Sequence, residues 1–400
     1  MKIGVIREGK NPPDARVPLV PQQCRYIAKH FPVDVVVEPS PKRIFDDEEY
    51  QVLNIPMQAD ISDCDVLMGV KEVPIAQLIA DKTYFFFSHT IKAQAYNRDL
   101  LRAILEKNIR LIDYEVLTDD KGKRLIAFGR FAGMVGAHNG IWTYGKRSGA
   151  FELKRMKDYR DYAEAKLDYE NLVLPPLKIV LTGTGRVGQG AAEVLKDMGI
   201  EKVRPKAFLN ETYNHAVFTQ LRVEDYAWRK DKKAFVRNDF YAQPELFESR
   251  FTPYAAVSDI FINGIYWDNA APAFFTTADM QQNDFKIEVI ADVTCDIAPV
   301  SSVPSTLRAS TIADPVFGYD VKNGTETAAF QTDSVDMMAI DNLPNELARD
   351  ASRSFGKQFI EHVLPELLKD QSDVIERATI TKNGQLTEQY AYLQDFVDGK

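Results

Sequence analysis

Cysteine is scarce in this 400-residue sequence. The three cysteines, Cys24, Cys64 and Cys295, form no CxxC pair and no metal-ligand spacing, which argues against a disulfide framework and leaves reduced, mostly buried thiols. No His/Cys/Asp spacing suggests a bound metal, and no G-x-S-x-G elbow presents a serine nucleophile, so zinc chemistry and covalent catalysis are not expected. Apolar runs stop well short of the roughly 20 residues that a membrane-spanning helix needs. The opening "MKIGVIREGK" lacks the apolar core and small-residue cleavage site of a signal peptide, and the expectation is a soluble, cytoplasmic protein. No Lys/Arg cluster overrides the overall balance of charge. With 49 Lys and Arg against 58 Asp and Glu, the net charge of -9 would repel nucleic acid and anionic membrane, which leaves small-molecule chemistry.

What is present is the composition of an ordinary globular protein, with 45% apolar and 27% charged residues. The length exceeds what one core usually supports, so two domains are expected. Short β-rich runs such as "KIGVI", "VDVVVEP", "CDVLMGV", "TYFFFSH" and "IRLIDYEV" alternate with amphipathic segments, the pattern of a parallel α/β sheet. The Gly/Ala-rich "FGRFAGMVGAHNGIWTYGKRSG" reads as an interdomain helix, its small residues allowing close packing. A second alternating series begins at "KIVLTGTGRVGQGAAEVLKDMG". The helix from Pro344 to about Lys369 has no domain of its own and is expected to return to the first. The expected fold class is α/β, with two Rossmann-like doubly wound parallel sheets. The expected domains are residues 1–135 plus 330–400, and residues 136–329 with an insertion at about 213–254.

The second series places Gly183, Gly185 and Gly188 in GxGxxG spacing, with Arg186 and Val187 between them, directly after a strand and opening a helix. The glycines suit a tight turn, close approach of backbone to a pyrophosphate, and close packing of helix on strand. The helix N-terminus offers N–H groups and partial positive charge to the phosphates. The acidic residue that would bind the ribose hydroxyls belongs at the end of the next strand. Read along "VRPKAFLNET", that place holds Phe208 or Asn210, with Glu211 slightly late. NAD is the expected cofactor, and Arg204 and Lys206, which suit a 2′-phosphate, keep NADP open.

Taken together, "GVIREGKNPPDARVPLVP", "GVKEVP", "FFSH", "LIDYEVL", "AFGRFAGMVGA", "DIFINGIY", "IADVTCD" and "AIDNLPNELARDAS" make the chain resemble the alanine dehydrogenase and pyridine nucleotide transhydrogenase family, and within it the lysine-forming saccharopine dehydrogenases. The resemblance covers nearly the whole chain and implies an active site in a cleft between two Rossmann-like domains. By position it makes Lys71 and His89 catalytic and Arg16 the grip on a substrate carboxylate. Glu115 and Asp341 end strands expected to reach the cleft, Asp296 matches a cleft aspartate of alanine dehydrogenases, and Asp292 is a candidate on the cofactor side.

The implied enzyme is a pyridine-nucleotide-dependent oxidoreductase acting on CH–NH donors, interconverting saccharopine with lysine and 2-oxoglutarate. Its partners would be amino acids and 2-oxo acids, in a monomer or small homo-oligomer. An alanine dehydrogenase-like enzyme and a non-catalytic nucleotide-binding module are the alternatives. His138 follows the Gly/Ala stretch, whereas His30, His215 and His362 stand in helical or flap contexts.

Overall fold

The computed structural model describes residues 1–400 and divides into two compact units, one of residues 1–128 and 348–400, the other of residues 129–347. The expected divisions at 135/136 and 329/330 therefore move. The Gly/Ala-rich helix belongs whole to the second unit, and the strand at Ser334–Met338 is part of that unit's sheet.

The first unit is built on β1 (Lys2–Val5), β2 (Asp34–Val37), β3 (Val66–Met68), β4 (Thr83–Phe86) and β5 (Arg110–Asp113), joined by β16 (Thr379–Lys382) and β17 (Gln385–Leu386). The order is β17-β16-β5-β4-β3-β1-β2; β1 to β5 are parallel, and β16 runs antiparallel to β5. The direction of winding reverses between β1 and β3, and in such sheets ligands bind beyond the carboxyl ends of the strands at that point. Both faces are covered. Phe85 of β4 joins one core with Ile3, Met68 and Phe359, while Tyr84 and Phe86 point into the other with Leu67, Leu101 and Ile104. That is why "YFFF" has no polar alternation. Helix α1 (Pro21–His30), started by its proline, buries Cys24 and Ile27; the short α2 (Asp47–Gln51) buries Tyr50; and α3 (Arg98–Glu106) buries Leu100, Leu101, Ala103 and Ile104 on one face.

The second unit starts with the Gly/Ala-rich helix α4 (Gly129–Ser148) and α5 (Tyr162–Tyr169), whose first turn is capped by Asp161. Its main sheet contains β6 (Lys178–Thr182), β7 (Glu201–Lys202), β8 (Val217–Leu221), β11 (Ile260–Asn263), β12 (Val289–Asp292), β13 (Phe317–Asp320), β14 (Thr325–Thr327) and β15 (Ser334–Met338). They lie in the order β14-β13-β15-β12-β11-β6-β8-β7, and only β13 runs against the rest, antiparallel to both β15 and β14. Between β6 and β8 run α6 (Arg186–Asp197) and α7 (Pro205–Asn210), and α8 (Val223–Tyr226) follows β8. The interdomain reading of α4 is corrected. Side chains at Gly133 and Gly190 would collide with the backbone of α6 and α4 respectively, so the small residues serve a close helix pair inside this unit.

The expected insertion is also trimmed. Val217, Phe218 and Leu221 are buried in strand β8, so the added piece begins after it and carries a small separate sheet of β9 (Ala227–Arg229) and β10 (Phe247–Ser249).

Candidate active site

In the first unit, the segments leaving β1, β3, β4 and β5 deliver Glu8 and Arg16, Lys71, His89 and Glu115 to the carboxyl rim of the sheet. The backbone amides of Val70 and Lys71 both donate to the Glu8 carboxylate, at 2.5 and 3.0 Å, which fixes the turn from which the Lys71 side chain departs. The Lys71 ammonium makes no hydrogen bond or ion pair. Burial first, and then the positive charge of Arg16, lower it from 10.5 to about 8. Glu8 is displaced the other way. Burial and the neighbouring Asp14 raise its carboxyl to about 8, against the pull of the two amides and Arg16.

His89 follows the aromatic strand with its backbone in the left-handed region (φ 54°), a conformation costly for a residue with a Cβ. Asp113, fully buried at the end of β5, accepts the Ser88 amide at 2.9 Å and the Glu115 amide at 2.7 Å, tying the two exits together. The His89 ring bonds through Nδ1 to Glu72 at 2.6 Å. A carboxylate only accepts, so Nδ1 carries the proton in this bond and Nε2 is left to exchange protons. Lys10 donates to the other Glu72 oxygen at 2.9 Å. Burial alone would raise the Glu72 carboxyl, but the bonds from His89 and Lys10 outweigh it and hold the group at about 2.

Arg16 is almost wholly buried. Its fork meets Asp14 at 2.9 and 2.6 Å, and its guanidinium lies 4.3 Å from the centre of the Phe128 ring. The grip assigned to a substrate carboxylate is thus held by an internal one. Glu115 accepts from Arg124 at 2.9 Å through Oε1, while its buried Oε2 has no hydrogen-bond partner.

In the second unit, Gly183 (φ 94°) turns the chain out of β6, and a Cβ there would strike Gly264 beyond β11. A Cβ on Gly188 would strike the Gly183 carbonyl, whereas one on Gly185 would meet nothing within 4 Å. The outer glycines are therefore held by packing and the middle one borders open space, as a pyrophosphate resting on the N-terminus of α6, with Arg186 and Val187 in its first turn, would require. Gln220 of β8 donates to the carbonyls of Gly183 and Gly188 at 2.9 and 3.2 Å and accepts from Lys202 at 2.7 Å.

The strand beside β6 is β8, not the run before Phe208. Lys178, at the amino end of β6, lies 4.9 Å from the Phe208 ring and donates to the Glu211 carbonyl. Phe208, Asn210 and Glu211 are therefore removed from the glycine loop at the other end of β6, and the ribose reading placed on them is corrected. The residue leaving β8 at the rim is Arg222. It is largely exposed, 3.9 Å from Glu224, which is itself bonded to Arg237 at 2.7 Å.

Asp292 is fully buried and accepts from Asn263, Thr306 and both the amide and hydroxyl of Thr294. Thr182 donates to Asn263 in turn, so the ends of β6, β11 and β12 are stitched together. Burial raises the carboxyls of Asp292 and Asp296, and these two with Asp341 surround the Cys295 thiol, which burial and the three negative charges push up strongly. His138 is buried in the same unit. It bonds to the Tyr169 hydroxyl at 2.6 Å and the Lys154 carbonyl at 2.8 Å, and burial lowers it to about 4.

Sequence reasoning missed Glu8, Asp14, Glu72 and Asp113. Glu72 and Asp14 had a local signal, being one and two residues from Lys71 and Arg16.

Residues 4–135 match the alanine dehydrogenase/PNT N-terminal domain family. The chain is similar to the mitochondrial alpha-aminoadipic semialdehyde synthase of Mus musculus, 32% identical over 97% of this chain and 47% of the relative, and to that of Arabidopsis thaliana, 30% identical over 98% and 41%. It spans about half the length of these relatives. It is also similar to the saccharopine dehydrogenase (NAD(+), L-lysine-forming) of Emericella nidulans, 26% identical over 91% of each chain. Its fold resembles a solved L-alanine dehydrogenase, with a TM-score of 0.68 at 16% identity over 100% of this chain and 99% of the other.

Proposed function

We propose that this chain is a member of the alanine dehydrogenase and pyridine nucleotide transhydrogenase family, whose N-terminal domain residues 4–135 match, and that it is a pyridine-nucleotide-dependent amino-acid dehydrogenase interconverting saccharopine and water with lysine and 2-oxoglutarate. The observation that carries this reading is the unpaired Lys71 ammonium at about 8, on one rim with the His89–Glu72 pair. A base of that strength can take the proton from a secondary amine near neutral pH. The bound nicotinamide would supply the hydride acceptor. Lys71 deprotonates the substrate amine, and Glu8 holds Lys71 in direction through its backbone. His89 moves protons on the water that adds to the substrate imine and on the carbinolamine that then breaks. Glu72 keeps the imidazole in the required tautomer. Arg16 takes a substrate carboxylate by exchanging it for Asp14, and the unpartnered oxygen of Glu115 receives a substrate ammonium.

The dinucleotide rests on Gly183, Gly185 and Gly188. Arg222 beyond β8, with Lys202 anchored to Gln220, puts positive charge where an NAD site would place a carboxylate, which favours NADP(H). The test is the initial rate of NADPH or NADH oxidation with lysine plus 2-oxoglutarate, beside pyruvate plus ammonia, with Lys71→Met as control. Lysine-dependent oxidation lost in the variant supports the reading. Turnover with pyruvate alone sinks the substrate assignment, and NADH preferred over NADPH sinks the role of Arg222.

A further inference from the structure

The segment added after β8 encloses a cavity of about 240 Å³ against the chain leaving β11. Tyr226, Phe240 and Tyr241 contribute from one side, and Tyr266, Trp267 and Phe274 from the other. The cavity adjoins the glycine loop. Its wall includes Ile265, whose amide nitrogen lies 3.2 Å from the place a Gly183 Cβ would take. β8 and β11 are the two neighbours of β6, so the cavity spans the same rim that presents Gly185 to open space. Tyr226 and Phe274 are anchored in the unit's core, with ring centres 5.0 Å apart, whereas Tyr266 is 92% exposed and Tyr241 is 66% exposed. Fixed aromatic faces on one part and uncovered ones on another suit a flat ring inserted between them. A single carboxylate lines the cavity. Asp268 spends Oδ1 on the Ala270 amide at 2.8 Å, and no hydrogen bond engages Oδ2.

We infer that this pocket, built by the added segment, is a binding site for a 6-aminopurine ring, the adenine of the dinucleotide, stacked by Tyr266 and Trp267 and read at its exocyclic amine by Asp268. The inference rests on the dinucleotide reading above and adds which residues hold the base. It gives the added segment a task, since that segment supplies a wall the parallel sheet alone does not. Guanine and hypoxanthine present a carbonyl at the same edge, and Asp268 would repel them.

Calorimetric titration of the wild type with NADPH, NADH, their hypoxanthine analogues and reduced nicotinamide mononucleotide separates the possibilities. Tyr266→Ala and Trp267→Ala should each weaken the dinucleotide about tenfold or more and leave the mononucleotide unchanged. The hypoxanthine analogue should bind the wild type about fivefold or more weakly, and Asp268→Asn should shrink that difference. Tyr266→Ala removes a ring that the fold leaves in solvent, and an unchanged melting temperature confirms that the variant is folded. Dinucleotide binding unaltered in both aromatic variants would overturn the adenine site while leaving the glycine loop in place. A wild type that binds neither dinucleotide would remove the underlying reading and this inference with it.

Discussion

Replacing Lys71 with methionine should stabilise the protein while abolishing turnover. The folded state holds the Lys71 proton less tightly than the unfolded chain, about 8 against 10.5. At about 1.4 kcal/mol per tenfold, that difference amounts to roughly 3 kcal/mol. The side chain keeps some contact with water, which reduces the expectation to about 2 kcal/mol. The sign follows from proton binding. Below about pH 8 both states carry the charge and the folded state bears the full cost of burying it. Between about 8 and 10.5 the folded lysine is neutral, the unfolded one is still charged, and the cost fades. Above that range neither is charged and nothing is left. Urea unfolding of wild type and Lys71→Met should therefore show the variant ahead by about 2 kcal/mol at pH 7, with the gap closing as pH approaches 10. The difference in apolar burial between the two side chains does not depend on pH, so the slope is the diagnostic part. A variant no more stable than wild type at pH 7, or ahead by the same margin at every pH, would refute the claim that the ammonium is desolvated. The same number sets the catalytic expectation, because about one lysine in ten is uncharged at pH 7 when it titrates near 8, against well under one in a thousand ordinarily. Saccharopine oxidation should rise with pH and level off above about 8.

Other substitutions test other parts of the molecule. Gly185→Ala should leave the melting temperature within about 1 °C and weaken dinucleotide binding by tenfold or more, whereas Gly188→Ala, which drives a Cβ into the Gly183 carbonyl, should cost about 1–3 kcal/mol of stability in thermal unfolding. Equal effects on stability would contradict the packing described for the loop. His138 is held neutral, so the unfolded chain binds an extra proton between about pH 6.5 and 4. Stability should rise with pH through that window, by up to about 3 kcal/mol, and fall on acidification. A His138→Gln variant losing as much stability as wild type between pH 7.5 and 4.5 would rule this out. Arg222→Ala should raise KM for NADPH about tenfold or more and leave KM for NADH nearly unchanged, in steady-state assays at fixed ionic strength; equal changes would mean that Arg222 does not read a 2′-phosphate.

The sequence was informative where chemistry is local. A doubly buried strand has to spend its polar residues at its end, so "YFFFSH" pointed to His89, and a glycine loop between strand and helix is a local motif. Glu8 was invisible because its partners, the amides of Val70 and Lys71, are 62 and 63 residues away, and nothing in "REG" announces them. The strand next to β6 was misplaced for a topological reason. β7 is only two residues long, and β8 takes the place beside β6, so counting along the chain stopped one strand early. The glycines of α4 announced close packing without saying against what.

The pairing of β16 with β5 bears on how this chain is made. During synthesis residues 129–347 can finish their own sheet while β5 waits with a bare edge for a strand about 270 residues downstream. Until that strand leaves the ribosome, the early segment displays an open, apolar template to any passing chain. Expression of residues 1–128 alone should give aggregates, and a holding chaperone would have its greatest effect in that interval.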